Sequence, residues 1–378
     1  MSLLAKSGAL HRRARAFIAA YETALAQTAP GARVKYDAPE SFDALACDIA
    51  RFQARTIPGF ARLLQARRVD PDALTRAVDV PGVPTEAFKA TRISAFSEHE
   101  TKVIFRTSGT TIGARGEHAI RTLENDDYAS LVLGGQALGF SSSDTPTAIF
   151  ALTLSPEDAP DSSLIHMFDT IIARYGAKTA RTYFLEKGEI EKGALKVAAF
   201  VDALTVAHAA GQRAIVLGTS FAFVHLLDML GGRPLAHLGV DLALHTGGTK
   251  GRSRDVSRDE LEADIARAFG LSSEGCIAEY GMTELSSEFY RSARAGSSTL
   301  YFEPPWARVV AVDPVTLTPV GQGEIGIAKV IDLLNVDSAV AVLTQDRVRH
   351  EGQGFDILGR FPGAPPRGCS LSVEEMLG

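Results

Sequence analysis

The sequence predicts an α/β protein with mostly parallel sheet flanked by helices, followed by a β-rich part. Three observations predict it. Short apolar runs alternate with longer helical stretches, as in Arg213-Ala214-Ile215-Val216-Leu217 followed by Phe221 to Leu230. Polar turns rich in Gly, Ser and Thr follow the apolar runs, and in open α/β sheets ligands gather where such turns leave the strand ends. From about Leu300, Pro, Gly and Val become frequent and helical periodicity fades to about Gly359.

In chain order, residues 1 to about 75 read as helical. Ala9 to Ala26 is rich in Ala, Arg and Leu, and Ser41 is placed to cap a helix opening at Phe42. Pro58-Gly59 interrupts that helix, and Asp70-Pro71-Asp72 is expected to start another. Pro81-Gly82-Val83-Pro84 marks a turn, and Thr85 to Phe88 a short helix. Lys102 to Phe105 is β-prone. A helix is expected from Glu124 to Leu138, a strand from Thr145 to Leu154, and a helix from Leu164 to Tyr175 behind the cap Asp161-Ser162-Ser163. Lys196 to Ala210 is helical. Gly218-Thr219-Ser220 turns the strand Arg213–Leu217 into a helix. Leu242 to His245 and Gly275 to Glu279 read as strands, with a helix between them that Asp255 or Ser257 opens and Phe269 closes. These readings divide the chain into an α/β core with a helical N-terminal part (1–300), a β-rich subdomain (301–359) and a hinge-like tail (360–378).

Composition narrows the function. With 46% hydrophobic and 22% charged residues the chain has the makings of an ordinary globular core. The net charge of −6 argues against a general nucleic-acid binder. Cys47, Cys276 and Cys369 are too scattered for a disulfide framework or a zinc site, and they fit a reducing, cytoplasmic setting. The apolar region Ala214 to Leu230 is broken by Gly218, His225 and Asp228, so it reads as strand, turn and helix rather than a membrane span. The short apolar start before His11-Arg12-Arg13 does not read as a secretory signal.

Several motifs are excluded by context. Gly321-Gln322-Gly323-Glu324-Ile325-Gly326 fits G-x-G-x-x-G but runs into a strand-like segment instead of a helix, so it reads as a turn. No P-loop signature and no G-x-S-x-G elbow occurs. His166 and His225 read as helix packing residues, whereas His245 beside the Gly-Gly turn is a better site candidate.

The stretch that stands out is Thr107-Ser108-Gly109-Thr110-Thr111-Ile112-Gly113-Ala114-Arg115-Gly116. Glycines let backbone N–H groups approach an anion, hydroxyls add donors without bulk, and arginine adds a fixed charge. By composition alone this is a phosphate cradle or a surface turn. Three more segments join it: Tyr280-Gly281-Met282-Thr283-Glu284, Thr344-Gln345-Asp346 and Gly359-Arg360.

In order and spacing these four segments resemble the motifs of adenylate-forming enzymes, the acyl-CoA synthetase and luciferase superfamily. Within it the chain resembles the acyl-protein synthetases of the LuxE type. That likeness rests on Asp161 to Ile165, Gly247-Gly248-Thr249-Lys250, Gly281 to Leu285 and Arg367-Gly368-Cys369-Ser370-Leu371. It departs from the superfamily pattern at Ile112, usually glycine, at Arg115, usually lysine, and at Gln345, usually glycine.

The resemblance implies the large-domain fold of these enzymes without their usual C-terminal lid. It implies ATP and Mg²⁺ as cofactors, a carboxylic acid, most simply a fatty acid, as substrate, and acyl-AMP as intermediate. Thr107, Ser108, Gly109, Thr110, Thr111 and Arg115 would form the phosphate loop, and Thr283 would contact the α-phosphate. Glu284 would hold the metal, a hard cation suited to carboxylate and phosphate oxygens. Gly247 and Gly248 would take the adenine, with Tyr280 and Gly281 at the same nucleotide. Asp346 would bind the ribose, and Arg360 the ribose or phosphate. Lys250 is a candidate for stabilising transition-state charge. Cys369 would accept the acyl group as a thioester and pass it to a reductase or carrier protein. Two other readings stay open at this stage: an acyl-CoA or aryl-acid ligase of the phenylacetate–CoA ligase type, and a weakly active protein that only binds nucleotide or aromatic acid.

Overall fold

The computed structural model describes residues 2–29, 32–108, 114–140, 147–188, 194–247, 256–272, 274–297, 299–352, 354–363 and 365–377. The expected Gly109, Thr110, Thr111, Gly248 and Lys250, together with Ile112, lie outside these residues. The chain forms two compact units. The first comprises Met1–Val132, Met282–Ser287 and Leu300–Gly378, and the second Leu133–Gly281 and Glu288–Thr299.

The first unit opens with three helices, α1 (Leu3–Ala26), α2 (Phe42–Ala54) and α3 (Pro58–Ala66). Ser41 caps α2 as expected, its hydroxyl accepting from Ala44 N at 3.3 Å. Asp70-Pro71-Asp72 yields a single turn, Pro71–Ala73, rather than a full helix. The reason is tertiary: Arg51 of α2 takes the carbonyls of Pro71 at 3.1 Å and Leu74 at 2.5 Å, and the backbone turns extended at Leu74. There follow β1 (Val83–Pro84), α4 (Ala87–Ala90) and the hairpin β2 (Val103–Arg106) and β3 (Glu117–Ile120), then α5 (Glu124–Ala129). The expected helix 124–138 is interrupted by a π-helical turn at Ser130–Gly134, beyond which only α6 (Gly135–Ala137) remains.

The second unit is the parallel sheet. Its strands are β4 (Ala148–Leu152), β5 (Ala214–Thr219), β6 (Val240–Thr246), β7 (Cys276–Tyr280) and β8 (Phe289–Arg291). They lie in that order, parallel except for antiparallel β8 at the edge. Helices α7 (Ser163–Tyr175), α8 (Val197–Ala209), α9 (Ser220–Leu230) and α10 (Arg258–Phe269) supply the crossovers. Both β4 and β5 are almost wholly apolar because helices cover both faces of the sheet. Phe150, Phe184, Phe200, Phe223 and Phe269 anchor the core on one of those faces. Of the two expected caps for α10, Ser257 is the one used, in a reciprocal capping box with Glu260.

The β-rich part belongs to the first unit. Its strands are β9 (Tyr301–Phe302), β10 (Ala307–Val312), β11 (Ile325–Asp332), β12 (Ala341–Glu351) and β13 (Gly354–Arg360), antiparallel in the order β10-β11-β12-β13-β9, with β1 running parallel to β12. The Gly321 to Gly326 segment leads into β11 and opens no helix. Beyond β13, α11 (Arg367–Leu377) docks on α3: Arg62 donates to Met376 O at 2.6 Å, and Arg67 to Glu375 at 2.7 Å and Ser372 Oγ at 2.9 Å. Among the described residues, no helix is long and apolar enough to cross a membrane.

Candidate active site

The phosphate-loop candidate stands on the β2–β3 hairpin. Arg106 pairs with Glu117, and one step further Thr107 and Gly116 close the base, with Thr107 N to Gly116 O at 3.0 Å and Gly116 N to Thr107 Oγ1 at 2.9 Å. Arg115 is turned back onto this stem, donating Nε to Thr107 O at 2.6 Å and Nη2 to Arg106 O at 3.1 Å. Ser108 is exposed beside it. A Cβ on Gly116 would lie a tight 3.1 Å from Thr107 Cγ2 and an ordinary 3.6 Å from Glu284 Oε1, which places the Glu284 carboxyl beside the loop base.

Glu284 and Thr283 are held there by groups that the sequence reading did not single out. His118, on β3, donates Nδ1–H to Thr283 O at 2.7 Å; a carbonyl can only accept, which fixes the tautomer. Burial pushes His118 down to about 4 despite that bond, so the ring is neutral. Its Nε2 is buried with no hydrogen-bond partner among the described residues. Asn335 donates to Glu284 O at 2.9 Å, and Asp332 at the end of β11 accepts from Ser286 N at 3.0 Å and Ser287 Oγ at 2.7 Å. The turn 283–287 is thus tied to both the hairpin and the antiparallel sheet. Burial raises the Glu284 carboxyl to about 7; its own backbone N–H opposes this, Glu86 adds to it, and Lys89 and Arg360 oppose it.

Asp346 and Arg360 face each other across β12 and β13, Nε to Oδ1 at 3.6 Å. Asp346 N is held by Thr344 Oγ1 at 3.0 Å. Gln345, in the superfamily's glycine position, hydrogen-bonds Glu86, which follows β1. Behind this motif lies Cys369, wholly buried on α11 among Val312, Ile327 and Leu343, its Sγ 3.8 Å from Thr344 O. Burial and then the Glu86 charge push its thiol up to about 12. Glu86 carries no motif, and only the β1–β12 pairing reveals its place.

The second unit holds Gly247, Tyr280 and Gly281. Gly247 follows β6 with φ +72°, a left-handed conformation that favours glycine, and no described residue comes within 4 Å of its Cβ position. Thr246 hydrogen-bonds the Glu279 carboxyl across the β6–β7 register. Burial raises Glu279 to about 7, opposed by that bond. A Cβ on Gly281 would come within 2.5 Å of Glu279 Oε1, which explains glycine after Tyr280.

A family model described as "Acyl-protein synthetase, LuxE" matches residues 46–378. The chain belongs to the LuxE acyl-protein synthetase family. It is 29% identical over 147 residues to a long-chain-fatty-acid–luciferin-component ligase of Vibrio harveyi, covering 36% of this chain and 38% of that protein. To the protein of that name from Aliivibrio fischeri it is 25% identical over 142 residues, covering 35% and 36%. The matched segment therefore spans little more than a third of these relatives. Among solved structures, 2-hydroxyisobutyryl-CoA ligase in the postadenylation state aligns with a TM-score of 0.63 at 15% identity, over 87% of this chain and 73% of that one. An open conformation of that ligase aligns with a TM-score of 0.62 over 86% and 81%. At such identity the likeness establishes the fold, an adenylate-forming ligase fold built from a parallel sheet and an antiparallel one.

Proposed function

We propose that this member of the family activates a carboxylic acid with ATP and passes the acyl group to a thiol. The carboxylate oxygen attacks the α-phosphorus, the bond to the bridging oxygen breaks, and pyrophosphate leaves with the electron pair. A thiolate then attacks the acyl carbon, and AMP leaves. The observation that carries this reading is the seating of Thr283 on the phosphate-loop hairpin by His118, with the Glu284 carboxyl beside Gly116 at its base. Phosphoryl transfer needs such placed donors and charges more than it needs a nucleophile from the protein.

Ser108, Thr110, Thr111 and Arg115 would hold the β- and γ-phosphates on the loop shaped by Thr107 and Gly109. Thr283 would contact the α-phosphate, Asp346 the ribose, and Arg360 the ribose or phosphate. Gly247 and Gly248 would admit the adenine, with Tyr280 and Gly281 at the nucleotide. Lys250 would supply positive charge to the transition state. Among the described residues no group of three or more His, Cys, Asp or Glu gathers for a metal. That fits Mg²⁺ held by one carboxylate and the phosphates. Glu284 would be that carboxylate, and the metal would supply charge neutralisation.

The acid is proposed to be a fatty acid, as the relatives' names indicate for those proteins. The final acceptor is proposed to be Cys369, with a reductase or carrier protein downstream in the cytoplasm. Its burial means that α11 must leave its docked position before the thiol can react. The same burial favours a second reading, transfer to an external thiol such as CoA. Acid-dependent exchange of pyrophosphate into ATP, run over aliphatic and aromatic acids, tests the first step; exchange with none of them overturns it. Cys369→Ser decides the second step. Retained exchange with loss of covalent acyl label supports Cys369, and unchanged thioester formation on added CoA supports the external acceptor.

A further inference from the structure

A buried chain of hydrogen bonds runs from the sheet edge to the turn at Gly247. Arg291 of β8 hydrogen-bonds Glu262 of α10. Glu262 Oε1 lies 3.0 Å from His245 Nε2, and His245 Nδ1 lies 3.0 Å from Ser220 Oγ, at the start of α9. Ser220 Oγ reaches Gly247 O at 2.6 Å and Thr246 O at 3.2 Å. Ser220 and His245 are only 2% and 4% exposed, while Gly247 is exposed.

Proton inventory orders the chain. A hydroxyl carries one proton, and two carbonyls compete for it, so Ser220 donates to the backbone and His245 Nδ1 donates to Ser220. Burial works to raise the Glu262 carboxyl, but the His245 hydrogen bond and charge, with Arg291, hold it below the usual carboxylate range. It is therefore ionised, and His245 Nε2 donates to it. Both ring nitrogens thus have a hydrogen-bond partner. Cys276 and Glu279, on β7, lie beside the chain. Cys276 is kept neutral, its thiol pushed up to about 12 by burial and then by the Glu262 charge. Glu279 bonds Thr246 on the opposite face of the sheet.

We propose that Ser220 and His245 are positioning residues for the nucleotide, fixing the carbonyls of Thr246 and Gly247 so that Gly247 is held in one conformation toward adenine. This rests on the function proposed above.

The test measures ATP binding by calorimetry, and KM and kcat for ATP in pyrophosphate exchange, for the parent, Ser220→Ala and Glu262→Gln. Ser220→Ala removes one oxygen, and Glu262→Gln keeps the side-chain shape, so a folding failure in one leaves the other. The expected result is an ATP Kd and KM about fivefold weaker in each variant, with kcat changed less than about twofold. Parent-like Kd and KM in a folded variant overturn the inference and leave the adenylation reading standing. A parent that binds no ATP overturns both.

Discussion

Glu284→Gln probes the cost of keeping a carboxyl at the loop base. Burial lifts this group from 4.5 to about 7. A carboxyl raised on folding contributes stability that is fully present below its unfolded pKa and is lost as pH rises through the folded value. The full shift is worth about 3 kcal/mol at ~1.4 kcal/mol per unit. Integrating between about pH 5.5 and about pH 8.5 leaves about 2 kcal/mol lost by the parent over that window. Glutamine keeps the shape and does not titrate. The stability of Glu284→Gln relative to the parent should therefore grow by about 2 kcal/mol across the same window. Urea denaturation followed at Trp306 is the assay. It is the chain's single tryptophan, fully buried, and lies in the same unit as Glu284. Other buried carboxyls titrate equally in both proteins and drop out of the difference. A stability difference that stays constant with pH refutes the argument that Glu284 is desolvated at the hairpin.

His118→Ala strands Thr283 O and should cost about 1–3 kcal/mol in the same assay, with a loss of exchange activity that exceeds the effect of a surface alanine. Gly247→Ala meets no atom of the described residues but must hold φ +72°, so it should cost about 1 kcal/mol and raise KM for ATP in exchange assays. Cys369 should resist maleimide in the folded protein and react on denaturation in urea, as mass spectrometry of labelled peptides would show; faster labelling when ATP and an acid are added would indicate that α11 undocks during turnover.

Local signals made much of the fold legible. Apolar runs followed by small polar turns marked β5, β6 and β7, and Ser41, Ser162 and Ser257 cap the helices they precede, because a hydroxyl beside free N–H groups acts within one turn. The four motifs likewise stood out because glycine, threonine and acidic residues at fixed spacing reflect backbone needs that are local. Gly116, Gly247 and Gly281 each occupy positions where geometry or crowding disfavours a side chain. Asp70 illustrates the limit: a sound start signal produced one turn because Arg51, from another helix, captured the carbonyls.

Tertiary structure decided what pairs across long separations. His118 reaches Thr283, Gln345 meets Glu86, and Arg291 and Ser220 complete the chain through His245. None of these partners is periodic or motif-bound, so no pattern along the chain announces it. The same holds for Cys369. Its place near the chain's end was readable, but its burial and raised thiol arise from the sheet and helix packed around it, and desolvation is a property of the folded surroundings alone.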